Sequence, residues 1–308
     1  MMSLKQSLAA LPAGKVVTVD VFAAGPHGGN PAPVVLNASA MSDEDMQAVA
    51  RQTGHESGFV KAAPAGSDYD FSLHFWVPNH EMEMCGHVTV GTVWLMTSLG
   101  ILTRDKATIL TRSGKVYARI VRSAIADKFR VEITQPAGQI SAIPRSEVLQ
   151  PEILSLLGIK PDQLADVPVI NACTSRIKTL VPLKDSQTLH NLQPNFSLIA
   201  ELCQHLDSTG LYPYAPDREN PGRFFARQFP KSSGYQEDAA TGIAAAALAF
   251  GLRHGGQIDP QQKQVIICQG QAMGRPSQIE VTFRFNSRGE AEGCWLGGDV
   301  RYSEEHSG

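Results

Sequence analysis

A chain of 308 residues, 43% hydrophobic and 19% charged, has room for one large or two medium domains and the composition of a soluble globular protein. Its net charge of −3 offers no electrostatic case for binding nucleic acid or an anionic membrane surface. Its five cysteines, Cys85, Cys173, Cys203, Cys268 and Cys294, are odd in number and contain no C-x-x-C pair. That argues against a disulfide framework or zinc ribbon and for a reducing compartment.

Met1–Leu11 carries one lysine and a short apolar patch, too little for a signal peptide, and no run reaches the length of a membrane span. A cytoplasmic protein is expected. Val16–Phe22 is predicted as a strand from its β-branched content. Gly25–Pro33, rich in glycine and proline, is expected as a loop, with a strand resuming at Val34–Leu36. Ser42 or Asp43 caps a predicted helix that runs to Arg51. Gly54–Val60 returns as a strand carrying Glu56, and Phe71–Pro78 alternates as a half-buried strand does.

Pro78–Leu99 then leads through Glu81 and Glu83 into Cys85–Gly86–His87 and continues without charge to Leu99. A helix apolar on every side is a buried one. Ala107–Thr111, Lys115–Val121 and Phe129–Thr134 read as strands, Pro136–Pro144 as a linker, Ser146–Leu157 as a helix and Gly158–Asp166 as a loop. Further strands are expected at Val167–Ala172, Thr179–Pro182, Gly210–Tyr214 and Arg223–Pro230, with a helix near Asn195–Cys203. Tyr235–Leu252 repeats the organisation of the earlier stretch. Glu237 and Asp238 precede a small-residue turn, Ala239–Ala240–Thr241–Gly242, and an Ala- and Leu-rich helix follows that is uncharged before Arg253. Val265–Gln269, Gln278–Asn286 and Glu292–Tyr302 end the chain as strands.

Each half thus runs through strands, one long buried helix and more strands, which predicts an α+β protein with a sheet wrapped around each central helix. The expected domains are 1–135, with room for the C-terminal strand to complete it, and 146–308. A buried helix start leaves backbone N–H groups to be satisfied. Thr241 can cap part of the second, and a bound carboxylate can complete the set. The plain alternative is a core helix with an ordinary acidic cap.

The candidate chemical groups each have a plain and a functional reading. Glu56 is a structural surface carboxylate or, beside a cleft, a proton shuttle. His87 caps a helix or orients a substrate. Asp238 favours the positive helix end or holds a substrate amino or hydroxyl group. Cys85 is a small buried hydrophobe or a thiol acidified at a helix start. Asn30 is a turn residue or reaches a ligand. A metal is not expected, because His80–Glu81 lacks the second histidine of H-E-x-x-H. Gly25–Gly29 does not complete G-x-G-x-x-G, and neither a Walker motif nor a G-x-S-x-G elbow occurs.

Five stretches in order are specific together. They are VDVFAAGPHGGNPAPVVL from Val19, GHESGFV from Gly54, CGHVTVG at Cys85–Gly91, EDAATGIAAAALA at Glu237–Ala249 and GRPSQIEV at Gly274–Val281. The chain resembles the PhzF-like phenazine-biosynthesis family of the diaminopimelate-epimerase superfamily. The resemblance implies two pseudo-symmetric domains, each a β-barrel-like sheet around a central helix, with the active site in the cleft between them. It implies a cofactor-free isomerase that moves a proton on a small carboxylic acid, and commonly a homodimer. Glu56 would be the principal acid/base, with His87 and Asp238 as partners. Gly86 and Gly242 would lend backbone donors to the substrate carboxylate, with Asn30, Cys85, Thr241 and Ile243 completing the binding set.

Two departures bear on this. The epimerase and proline-racemase branches use a cysteine at each helix start, whereas here Ala239–Ala240–Thr241 stands opposite Cys85, so a two-cysteine racemase is not expected. Ile243 stands where the family usually has serine, which leaves the substrate open. Two other readings remain: an epimerase pairing Glu56 with Cys85 or His87 on the opposite face, and a small-acid binding protein without chemistry, which only Ile243 favours.

Overall fold

The computed structural model describes residues 3–123 and 128–304; Met1 and Met2, which open the Met1–Leu11 segment, lie outside the described residues. Among those, no helix is long and apolar enough to cross a membrane. The chain divides into two compact units, one of residues 1–23, 29–134 and 297–308 and the other of 24–28 and 135–296.

The first unit begins with Val16–Val21, paired antiparallel to Asn30–Val35 and, on its other edge, to Val300–Tyr302. Asp20 and Arg301 make an ion pair of 2.9 Å across that second pairing. Ser57–Ala62 joins Asn30–Val35 in parallel and Phe71–Trp76 antiparallel. Lys106–Thr111, Gly114–Arg122 and Phe129–Pro136 continue the order. These strands wrap the Gly86–Ser98 helix, whose Val88, Val90, Val93, Leu95 and Met96 are fully buried. Each such side chain contributes about 1.5–3 kcal/mol of burial. The helix lies close to its sheet because Gly91 has no side chain: a Cβ there would meet the Val21 and Val19 methyls at 2.8 and 2.9 Å.

In the second unit the order is Gln139–Ala142, Ile170–Cys173, Ile177–Pro182, Gly210–Pro216, Arg223–Ala226, Gln264–Gln269 and Ser277–Phe285. The Gly242–His254 helix is buried against them from Gly242 through Leu252. Gly251 repeats the close approach, where a Cβ would sit 2.5 Å from Leu180 Cδ1. A second core, built from Leu149, Ile153 and Leu157 of the Ser146–Leu157 helix and Ile199 and Leu202 of Phe196–His205, packs on Val181, Leu211 and Phe229.

Several local expectations need correction. The expected loop Gly25–Pro33 ends early, because a strand starts at Asn30. Pro31 and Pro33 are two residues apart, so both missing N–H groups fall on one strand edge, and the parallel neighbour joins only from Val34. Pro136–Pro144 holds a strand, Gln139–Ala142, whose partner Ile170–Cys173 is too distant in sequence for local patterning to reveal it. Arg223–Pro230 is broken at Arg227–Gln228 into Arg223–Ala226 and Phe229–Pro230. Glu292–Tyr302 is likewise broken at Asp299. Glu56 lies ahead of its strand, in the connection from the Asp43–Thr53 helix. That helix opens with a Ser42–Asp45 capping box and ends at Gly54, at φ 69°.

Candidate active site

The left-handed turn at Gly54 sets the direction of the short link that carries Glu56. Hydroxyls fasten it on both sides. Thr53 and Ser57 Oγ atoms lie 3.1 Å apart, and Ser57 donates to the His55 carbonyl at 3.0 Å. Glu56 therefore enters the site from a braced segment rather than from a loose loop.

Cys85 is the extended N-cap of the Gly86–Ser98 helix, and its side chain makes no capping bond. Its carbonyl accepts the Thr89 hydroxyl at 2.7 Å, which holds the cap residue in place. The thiol turns instead to two acceptors, donating to Glu56 Oε2 at 2.9 Å and lying 3.3 Å from His87 Nδ1. His87 Nδ1 and Glu56 Oε2 are 3.5 Å apart.

The far nitrogen of the imidazole, Nε2, lies 3.3 Å from the carbonyl of Pro31. A carbonyl only accepts, so the proton belongs on Nε2 and the lone pair on Nδ1 faces the thiol and carboxylate. Burial holds the His87 pKa below its ordinary value, with His55 acting the same way, while the Glu56 charge and the Pro31 carbonyl oppose them. The imidazole is thus neutral near pH 7. Of the pair, His87 has 4% of its side chain exposed and Glu56 11%, so the carboxylate is the more accessible. Asn30 is buried one residue before the Pro31 carbonyl that anchors His87.

The second motif is assembled inside its own unit. Glu237 does not serve the helix start, the plain reading of an acidic cap. Both its oxygens take the Arg227 guanidinium, at 2.8 and 2.7 Å, and Arg227 Nη1 donates to the carbonyls of Leu192, Leu189 and His190. Thr241 is the N-cap of the Gly242–His254 helix but makes no side-chain cap, because its hydroxyl donates to Asp238 Oδ2 at 2.5 Å. Gln269 ties the turn together: its amide N–H donates to the Asp238 carbonyl at 2.7 Å and its oxygen accepts Thr241 N–H at 3.2 Å. The Tyr212 hydroxyl donates to the same oxygen at 2.8 Å. Burial, then Asp238 and Cys268, raise the Tyr212 pKa well above its ordinary value, so it stays a donor. Ile243 is buried, 6% exposed, just inside the helix.

Each central helix therefore starts at a buried glycine, Gly86 or Gly242, behind a cap residue whose side chain is engaged elsewhere. Backbone N–H groups at such ends suit a carboxylate. Within the first unit Glu56, Cys85 and His87 come together; within the second, Asp238, Thr241 and Gly242 do.

The sequence profile of the phenazine biosynthesis-like proteins, PhzC–PhzF, matches residues 19–301. The chain belongs to that family. A relative from Deinococcus radiodurans, named an uncharacterized isomerase, is 31% identical over 274 residues, 88% of this chain and 87% of its own. The crystal structure of a phenazine biosynthesis protein of the PhzF family from Bacillus anthracis has a TM-score of 0.82 at 23% identity, covering 94% of this chain and 96% of that one. A hydroxyproline epimerase from Agrobacterium vitis, solved with trans-4-hydroxy-L-proline, aligns with a TM-score of 0.64 at 11% identity over 94% of this chain and 90% of that one. The fold is thus the diaminopimelate-epimerase-like α+β architecture of this phenazine biosynthesis-like family.

Four residues that brace the two motifs were not singled out by motif reading: Pro31, Arg227, Tyr212 and Gln269. Pro31 acts through a carbonyl, which every residue has. Arg227 sits at a strand break, where an arginine amid apolar residues was the available signal. Gln269 and Tyr212 are polar groups in apolar strands and could have been flagged only as buried groups in need of partners.

Proposed function

We propose that this phenazine biosynthesis-like protein is a cofactor-independent isomerase that shifts a proton within a small carboxylic acid, with Glu56 as general acid/base. The observation that carries the reading is the Glu56–Cys85–His87 cluster. The Cys85 sulfur lies 2.9 Å from the carboxylate to which its thiol donates and 3.3 Å from a neutral imidazole acceptor, at the start of a buried helix. Glu56, the more exposed member of its pair with His87, takes a proton from carbon and returns it elsewhere on the same molecule. The Cys85 thiol, hydrogen-bonded to Oε2, follows the charge on Glu56 as it is neutralised and restored. His87 holds the thiol on one side and is itself held by Pro31. The Gly86 amide, at the start of its buried helix, favours the substrate carboxylate and the enolate-like charge that develops. The reading includes a homodimer at work in the cytoplasm.

A shift on one face is favoured over epimerisation by Glu56 with Cys85 or His87. A two-base inversion needs its groups on opposite sides of one carbon, and three groups within 3.5 Å of one another approach from the same side.

The test is proton NMR in deuterated water with amino acids, hydroxy acids and dihydroaromatic acids, comparing the wild type with Glu56→Gln. The wild type is expected to exchange or rearrange one class, and Glu56→Gln to lower that rate by about 10²–10⁴-fold. Unchanged turnover in Glu56→Gln removes Glu56 as the catalyst, and a mirror-image product replaces isomerisation with epimerisation.

A further inference from the structure

We propose that Glu56, Cys85 and His87 also form a zinc(II)-binding site, with Oε2, Sγ and Nδ1 as three ligands and water as the fourth. Among the described residues, these side chains of metal-ligating type bring one donor atom each to within 4.8 Å of one another. The triangle has edges of 2.9 Å (Sγ to Oε2), 3.3 Å (Sγ to Nδ1) and 3.5 Å (Nδ1 to Oε2). Tetrahedral zinc, with bonds of about 2.3 Å to sulfur and about 2.0–2.2 Å to nitrogen and oxygen, spaces its ligands roughly 3.3–3.6 Å apart. Two edges are already close to those spacings, and the Sγ–Oε2 edge needs to open by roughly 0.6–0.7 Å.

The donor set also discriminates. Thiolate with imidazole suits zinc, whereas magnesium and calcium take hard oxygen ligands. The bond from His87 Nε2–H to Pro31 is the outer partner that orients a ligating imidazole and fixes its tautomer. Thr89 does the corresponding work for Cys85 through the cap carbonyl. Glu56, with 11% of its side chain exposed, is the edge through which an ion enters. On binding, the Sγ–H bond breaks, the proton leaves to solvent and the Sγ–Zn bond forms, with no change of oxidation state. The other thiols compete poorly: burial pushes Cys203 to about 11 and Cys294 to about 12, and raises Cys173 and Cys268 as well.

The inference concerns binding and does not depend on the isomerase reading. Its consequence for that reading is that an ion occupies the lone pairs a proton shuttle uses, so zinc inhibits.

Zinc affinity of the full-length protein is measured without substrate, by competition with a chromophoric chelator, for wild type, Cys85→Ser, His87→Asn, Glu56→Gln and Cys173→Ser. Circular dichroism checks the fold of each. The expected result is one zinc per wild-type chain, no competition from magnesium, and unchanged affinity in Cys173→Ser. Cys85→Ser and His87→Asn should each bind at least about 100-fold more weakly, the upper end of what loss of an outer partner costs. Cobalt(II) should give a thiolate charge-transfer band that Cys85→Ser abolishes. Should His87→Asn fail to fold, Glu56→Gln, altered at the accessible edge, still reads the site by weakened binding. No zinc bound by the wild type, equal affinity in Cys85→Ser, or a cobalt band that survives that change would overturn the proposal.

Discussion

The pairing of Arg227 with Glu237 can be weighed against the simpler role a carboxylate near a helix start would have. A charge that merely favours the positive end of the Gly242–His254 helix is worth about 0.3–1 kcal/mol. The structure gives Glu237 a different partner. It is a bidentate ion pair with side chains only 8% and 11% exposed, and the guanidinium also donates to three carbonyls. Removing one member of a buried pair leaves the other charge desolvated and costs about 3–5 kcal/mol. Arg227→Met is therefore expected to lose that much, and Glu237→Gln more than a helix-end charge would. The double variant Arg227→Met/Glu237→Leu should lose markedly less than the sum of its single changes, since no uncompensated charge remains. Urea unfolding followed by Trp295 fluorescence, in a Trp76→Phe/Trp94→Phe background, reads the second unit. The single variants should lower the midpoint by roughly 1 M or more. Losses below about 1 kcal/mol for both single changes, adding in the double variant, would refute the buried pair and restore Glu237 to the helix end.

Gln269→Leu should destabilise the second unit by at least about 2 kcal/mol, because it strips the Asp238 carbonyl and Thr241 N–H of a buried partner and leaves the Tyr212 hydroxyl without its acceptor. Thermal unfolding checks it, and a Tm unchanged from wild type would show that the turn does not depend on this side chain. His87 carries a pH signature. Its folded pKa lies below the ordinary 6.5, so as pH falls the unfolded chain takes up the proton first. The stability due to neutral His87 is complete above about pH 6.5 and is lost from there down to the folded pKa. His87→Asn should unfold at lower denaturant than wild type at pH 7.5, and the gap should narrow on acidification towards pH 5. A constant gap would mean that His87 is not held neutral.

Much of the architecture was legible from local pattern. Val16–Val21 is β-branched, Ser42 is a capping residue ahead of its helix, Ser146–Leu157 has the apolar content of a helix, and the charge-free stretches after His87 and Gly242 are helices buried on every side. Such features depend on residues within a turn or two of one another, so periodicity and capping reveal them. The five ordered motifs added the family and its fold.

Tertiary structure alone decided what those local pieces touch. The cap thiol meets a carboxylate 29 positions away, and Asp20 meets Arg301 across 281 positions. Neither spacing leaves a periodic trace. Glu237 and Asp238 are adjacent and chemically alike, yet one closes on Arg227 and the other takes the Thr241 hydroxyl, because only packing determines which side chain is desolvated and by what. The sequence by itself determined two buried helices entered through glycine. The fold decided that Glu56, Cys85 and His87 share one set of protons, since hydrogen bonding and desolvation act over a few ångströms of space regardless of distance along the chain.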